Sequence, residues 1–141
     1  MDTLASRQTT PNRLAFLDTA TLAPVAQAVL RIGAGLLFMQ HGAQKLFGFL
    51  GDTPVELFSQ MGVAGVLEFF GGALIVVGLL TRPVAAVLTL LMVVAYVVAH
   101  AFQAVFPVEN GGELALLYAL IFGFLAAAGP GAWSVDGLRA R

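Results

Sequence analysis

The stretch Val63-Ala-Gly-Val-Leu-Glu68-Phe-Phe-Gly-Gly-Ala-Leu-Ile-Val-Val-Gly-Leu-Leu80, followed by Thr81-Arg82-Pro83, decides the fold class. Its side chains are apolar on every helical face, and its one ionisable group, Glu68, sits near the start. An all-round hydrophobic helix belongs in lipid or in the core of a large protein. Crossing the hydrocarbon core takes roughly 20 such residues. Thr81-Arg82-Pro83 then forms a tight connection, because a proline at a helix start gives up a hydrogen bond that would not form anyway.

The same composition recurs outward from this segment. Leu22–Phe47 precedes it, Pro83–Phe106 follows, and Glu113–Ala128 closes the set. Pro107-Val-Glu-Asn-Gly-Gly112 and Gly129-Pro130-Gly131 carry the turn chemistry between and after them. Of the 141 residues, 59% are hydrophobic and 11% charged, where a soluble domain carries about 25% charged residues. So few charges cannot cover a water-facing surface. The expected architecture is therefore all-α: an integral membrane four-helix bundle with four transmembrane helices running up and down. A polar tail occupies residues 1–21, the four-helix domain residues 22–136, and a short tail residues 137–141. The first tail lacks the compact apolar core of a signal peptide, and its Leu14, Phe16 and Leu17 are placed to touch lipid. In the first connection, Thr53-Pro-Val-Glu56 is a capping-box pattern with proline at the first helical position. It predicts a short interfacial helix with Val55, Leu57, Phe58 and Met61 on the apolar side.

Charges orient the bundle and exclude several functions. Arg7, Arg13, Arg82, Arg139 and Arg141 belong to one side, whereas the other holds Asp52, Glu56 and Glu109, with Lys45 at a helix edge. The positive-inside rule then puts both termini in the cytoplasm. A net charge of −1 provides no basic surface for nucleic acid. The absence of cysteine removes thiolate nucleophiles and thiolate metal sites.

The remaining ionisable groups gather at one end. Arg31, Ala34, Phe38, His41 and Lys45 share one stripe of the first segment by their 3-4-3-4 spacing. Gly65, Glu68 and Gly72 share a face of the second, and Tyr96, His100 and Gln103 a face of the third. Asn110 and Glu113 open the fourth. At 1.5 Å per residue, Glu68 and His100 lie roughly 8–9 Å below the outer boundary, with His41 at similar depth. Ionisable groups inside a membrane are costly and are candidates for function. Each also has a plainer reading. Lys45 can snorkel to the headgroups, Glu113 can simply favour a helix dipole, and either histidine can be a hydrogen-bonded packing residue. Glu68 resists such a reading, because a carboxylate at that depth needs a partner or a proton. Arg31 lies in the opposite half, where a structural ion pair with Asp136 is expected.

The run Arg31–Lys45 (RIGAGLLFMQHGAQK), Glu68-Phe-Phe-Gly-Gly72, Gly78-Leu-Leu-Thr-Arg82, Asn110-Gly-Gly-Glu113 and Gly129-Pro-Gly-Ala-Trp-Ser-Val-Asp136 resemble, in order and spacing, the DoxX family of small bacterial membrane proteins. The resemblance spans about Val25 to Asp136. It implies a four-helix bundle in the bacterial cytoplasmic (inner) membrane. It also implies a link to quinone-coupled redox chemistry, since related DoxD-type proteins are subunits of thiosulfate:quinone oxidoreductases. Other members are tied to membrane complexes that handle oxidative or thiol stress.

The residues suit a quinone or quinol site in the outer half. His41 and His100 can donate or accept, Glu68 can exchange a proton, and Lys45 can stabilise charge on a reduced oxygen. Gln103, Asn110 and Glu113 are candidate binding residues, and Phe38 and Phe69 candidate ring walls, alongside Phe70 and Phe102. His41 and His100 as axial ligands of a b-type haem form a different redox reading. A metal held by the histidines and glutamates has no local ligand motif behind it, and none is expected. A small-solute transporter and a scaffold subunit of an oxidoreductase or stress-response complex are the other classes. In every redox version electrons need a donor, so a redox partner protein or a homo-oligomer is expected beside the surrounding lipid.

Overall fold

The computed structural model describes residues 19–140. The expectations for Arg7, Arg13, Leu14, Phe16, Leu17 and Arg141 lie outside the described residues. Among these residues every regular element is helical. The order is α1 (Thr19–Phe47), a 3₁₀ turn (Phe49–Gly51), α2 (Gln60–Val77), α3 (Thr81–Ala99), a single turn α4 (Pro107–Asn110), α5 (Glu113–Ala128) and α6 (Val135–Arg139). Three helices, α1, α2 and α3, are long and apolar enough to cross a membrane, and α5 is a shorter apolar helix. Its 16 residues span about 24 Å, against about 30 Å for a hydrocarbon core.

Two antiparallel pairs make up the bundle: α1 packs along α2, and α3 along α5, with lighter contact between the pairs. Glycine sets the first pairing. A β-carbon on Gly42 would lie 2.5 Å from the Phe69 amide nitrogen, and one on Gly35 would lie 2.9 Å from the Gly72 carbonyl. Small residues let helix backbones approach this closely, which in lipid replaces the hydrophobic drive available in water. The pairs meet through rings: the Phe38 centroid lies 4.9 Å from that of Tyr118 and 4.8 Å from that of Phe122. Phe38, Phe122, Ile75, Leu88 and Leu125 are fully enclosed and form the centre of the core.

Three helix boundaries differ from the expectation. The third helix stops at Ala99, not Phe106. Pro107 forces Phe106 into an extended conformation. Asn110 draws the intervening segment into a compact turn by donating to the Ala104 carbonyl at 3.0 Å. Pro107–Asn110, expected as plain loop, is instead one helical turn. The interfacial helix expected from Thr53-Pro-Val-Glu56 does not form, since residues 52–56 have no helical structure. The Val55 amide donates to the Lys45 carbonyl at 2.8 Å, tying this segment to the end of α1. The working cap is Ser59, whose hydroxyl accepts from the Gly62 amide at 3.0 Å and starts α2 three residues before Val63.

At the opposite end, residues 129–136 wrap α1 and lock the α2–α3 turn. Gln27 Nε2 donates to the Gly129 carbonyl at 2.6 Å, and the Ala132 amide donates to the Pro24 carbonyl at 3.0 Å. The turn itself holds Leu80 at a φ of 51°, a left-handed conformation that costs a side chain about 1–2 kcal/mol.

Candidate functional site

Lys45 and Glu68 form the centre of the polar end of the bundle, opposite the Arg31 turn. Gly65 makes their meeting possible: a β-carbon there would lie 3.0 Å from Lys45 Cβ. With hydrogen in that place, the lysine stem crosses α2. The Lys45 ammonium reaches both carboxylate oxygens of Glu68 at 2.5 Å, and this is the only ion pair among the described residues. Glu68 is 3% exposed, so its charge is compensated by the ammonium rather than by water. Lys45 therefore turns inward and does not snorkel to the headgroups.

Around this pair lies a chamber of about 210 Å³, with Phe38, His41, His100 and Tyr118 among its walls. Phe38, His41 and Lys45 come from one stripe of α1, and Glu68 comes from α2. His100 comes from the end of α3, and Tyr118 from α5. The chamber thus occupies the seam between the two helix pairs. His100 Nδ1 lies 2.8 Å from the Asn110 carbonyl. Because a carbonyl can only accept, the hydrogen belongs on Nδ1, and Nε2 keeps the lone pair. His41 packs its ring edge-on to Tyr118, with centroids 6.0 Å apart. His41 and Lys45 also line a second, polar opening of about 270 Å³ with Gln44, Asp52 and Thr53.

The structure brings together Phe38, His41, Lys45, Glu68 and His100, and leaves the other expected residues outside the chamber walls. Gln103 is exposed and donates to the Ala99 carbonyl. Glu113 is exposed at the start of α5. Phe69 packs against Phe47 and Phe70, with centroids 5.2 and 5.3 Å away, and Phe102 is exposed. Asn110 is buried, but its side chain is committed to its own loop and to α3. Its Oδ1 accepts from the Gly112 amide at 2.8 Å, and its Nδ2 donates to the Ala104 carbonyl and to the Tyr96 hydroxyl at 3.4 Å. It orients His100 through its carbonyl rather than facing a ligand. His100 itself caps α3, so it is a loop-held group and not one six residues deep in a helix. The residue missed in the sequence is Tyr118. The chain has two tyrosines, and both stand near His100 or Glu68. A phenol five residues into an otherwise apolar helix was the available signal.

The expected Arg31–Asp136 ion pair is not formed. Arg31 is wholly buried, and its guanidinium donates to five carbonyls: Pro130 at 2.8 Å, Ile75 at 2.7 Å, Val76 at 2.6 Å, Ala132 at 3.1 Å and Trp133 at 2.8 Å. That uses all five N–H groups of the side chain. Asp136 instead accepts from the Leu80 and Thr81 amides, each at 2.8 Å. The two charges cap opposite sides of one turn, Arg31 the carbonyl end of α2 and Asp136 the amide end of α3. The helix dipole favours each placement. For Asp136, partial burial pushes the carboxyl upward, but the Thr81 and Leu80 amides and the Arg139 charge outweigh it and hold the group below its ordinary value.

Among the described residues no group of three or more His, Asp or Glu side chains converges as a metal site. The chamber is smaller than the ~300–1,000 Å³ typical of a whole small-molecule pocket. It suits a single ring with two polar edges: an ammonium, a carboxylate, two imidazoles and a phenol face it, with Phe38 as the apolar wall.

Three membrane-length helices and a shorter apolar one surround this polar chamber, the architecture of a helical membrane protein. The DoxX family profile matches residues 26–101, a segment that contains His41, Lys45, Glu68 and His100. The chain belongs to the DoxX family. It is 37% identical over 124 residues to an uncharacterised protein of Haemophilus influenzae, covering 80% of this chain and 90% of that one. It is 30% identical over 139 residues to the inner membrane protein YphA of Escherichia coli, covering 89% of this chain and 98% of the relative. An uncharacterised membrane protein of Mycobacterium tuberculosis is 32% identical over 136 residues, at 80% of each chain. No solved structure matches the chain significantly.

Proposed function

We propose that this protein is a quinone-linked redox subunit of the bacterial inner membrane, with four spans, both termini in the cytoplasm and its polar chamber in the outer half of the bilayer. The observation that carries the reading is the Lys45–Glu68 pair, held in a small chamber with two imidazoles and a phenol rather than sealed into packing. The inner membrane placement is supported by the relative of that name in Escherichia coli and by the three membrane-length helices.

A quinone carries two electrons and two protons between its oxidised and reduced forms. The chain's own groups supply what such a head needs. The Lys45 ammonium donates to an oxygen gaining negative charge and is pre-placed to do so without reorganisation. Glu68 exchanges a proton at the same oxygen while its charge is balanced by Lys45. His100 presents the Nε2 lone pair to a hydroxyl at the other edge, its tautomer fixed by the Asn110 carbonyl. His41 stands between the chamber and the polar opening beside Asp52, where protons meet water. Electrons come from a partner protein.

The test is binding of a benzoquinone to the purified protein in lipid nanodiscs. Glu68→Gln and His100→Ala are each expected to weaken binding at least tenfold while the protein elutes as the wild type does. Wild-type affinity in both variants removes these groups from the site and ends the reading.

A further inference from the structure

The chamber has a second mouth, of opposite character to the polar one. Between α2 and α3 a groove of about 540 Å³ runs along the side of the bundle. Its walls are Val63 and Ala64 on α2 and Leu91, Val94 and Val98 on α3. The groove adjoins the chamber, since Lys45, Glu68, Met92, Ala95 and His100 line both. Ala95, with its small side chain, stands between the two spaces.

We infer that this groove is the subsite for the isoprenoid tail of the ligand, and that α2 and α3 form the lateral door through which the head enters. The inference rests on the quinone reading of the chamber and specifies where the rest of the molecule lies. Volume supports it first. The chamber alone is smaller than a typical small-molecule pocket, whereas chamber and groove together fall within that range. Polarity supports it next. The mouth beside Asp52, Thr53 and Gln44 cannot hold a hydrocarbon chain without stranding polar groups, while the α2–α3 groove offers a chain mostly apolar walls, with Gln60 the one polar residue besides the shared Lys45, Glu68 and His100. An amphiphile can therefore be seated in one sense only, head towards Lys45–Glu68 and tail out between α2 and α3. Packing supports it last. α2 and α3 touch far less than the members of either tight pair, so this seam parts with less loss of contact than either pair would; α1 and α5 touch less still, but the groove does not run between them.

The experiment compares two probes on the full chain in nanodiscs: 2,3-dimethoxy-5-methyl-1,4-benzoquinone, which has no tail, and its decyl derivative. Ala64→Phe places a ring in the groove from α2, one turn before Glu68, and Val98→Phe places one from α3. Leu120→Phe, on the exposed face of α5, is the control. Expected is a loss of at least tenfold in decyl affinity in Ala64→Phe, with tail-less affinity unchanged within twofold and Leu120→Phe like wild type. Val98→Phe is expected to show the same selective loss. Decyl affinity unchanged in both groove variants, with Glu68→Gln still abolishing binding, overturns the tail subsite and leaves the chamber reading standing. Failure of the wild type to bind either probe overturns both.

Discussion

The Lys45–Glu68 contact is where one side chain decides most. Taking two charges from water is costly, and their attraction offsets that cost only while both are present. Removing Lys45 alone strands a carboxylate that is 3% exposed. Lys45→Met is therefore expected to destabilise the protein by about 3 kcal/mol. Lys45→Met with Glu68→Leu should recover most of the loss, read as a double-mutant cycle of detergent unfolding. Equal destabilisation in the single and double variants would show that the pair contributes shape and not charge. Arg31 behaves in the opposite way, since its donors are all satisfied and it has nothing left to offer a ligand. Asp136 gives the measurable pH effect. Its carboxyl is held below its ordinary value, so its contribution is complete above the unfolded value of about 3.9 and disappears as pH falls through the depressed native one. Asp136→Asn is expected to lower the melting temperature at neutral pH and to flatten the acid limb below about pH 4. An acid limb unchanged by the substitution would assign it to other groups.

Among the elements, the α1–α2 pair depends on glycines that look alike in sequence and differ in what surrounds them. A β-carbon at Gly42 meets the Phe69 backbone at 2.5 Å, while one at Gly33 meets nothing within 4 Å. Gly42→Val is expected to separate the helices and to pull Lys45 off Glu68, lowering stability by several kcal/mol. Gly33→Ala should be neutral, or stabilising by up to about 1 kcal/mol through helix propensity. Unfolding of both variants in the same detergent distinguishes them, and matching losses would mean that glycine content rather than close approach holds the pair. This contrast also shows what was legible in the sequence. Hydrophobic length and punctuation located four helices, and the spacing of Phe38, His41 and Lys45 put them on one stripe. Both patterns come from local geometry. The ends of helices were harder to read because distant residues settle them. Asn110 reaches back to shape the segment after Ala99, Lys45 accepts from Val55 in place of a new helix, and Asp136 caps α3 across a turn. Gln103, Glu113 and Phe69 stand outside the chamber walls for the same reason: sharing a depth does not mean sharing a direction. Tyr118 was hidden because nothing in α5 alone says which neighbour it faces.

At the scale of the molecule, the two ends of the bundle use their charges differently. At one end the cations are spent on helix carbonyls, Arg31 on the last turn of α2 and Arg82 on Ala126, Ala127 and Ala128 at the end of α5. Such bonds answer the unpaired acceptors that every helix leaves at its end, and they fasten the four long helices into a base. At the other end the pairs are held by rings and one ion pair, and a chamber opens between them. The proposed orientation follows from the same asymmetry, because arginine gathers at the base and carboxylates at the connections around the chamber. The chain contains no cysteine, so one introduced thiol reports one position. Asp52→Cys and Glu109→Cys are expected to react with a membrane-impermeant maleimide on intact spheroplasts, and Leu138→Cys only after the membrane is permeabilised. Labelling of Leu138→Cys from outside, with Asp52→Cys protected, would invert the bundle and put the chamber on the cytoplasmic face. Labelling of Asp52→Cys and Leu138→Cys from the same side would mean that the chain crosses the bilayer an even number of times between them, with the 16-residue α5 the first helix to suspect.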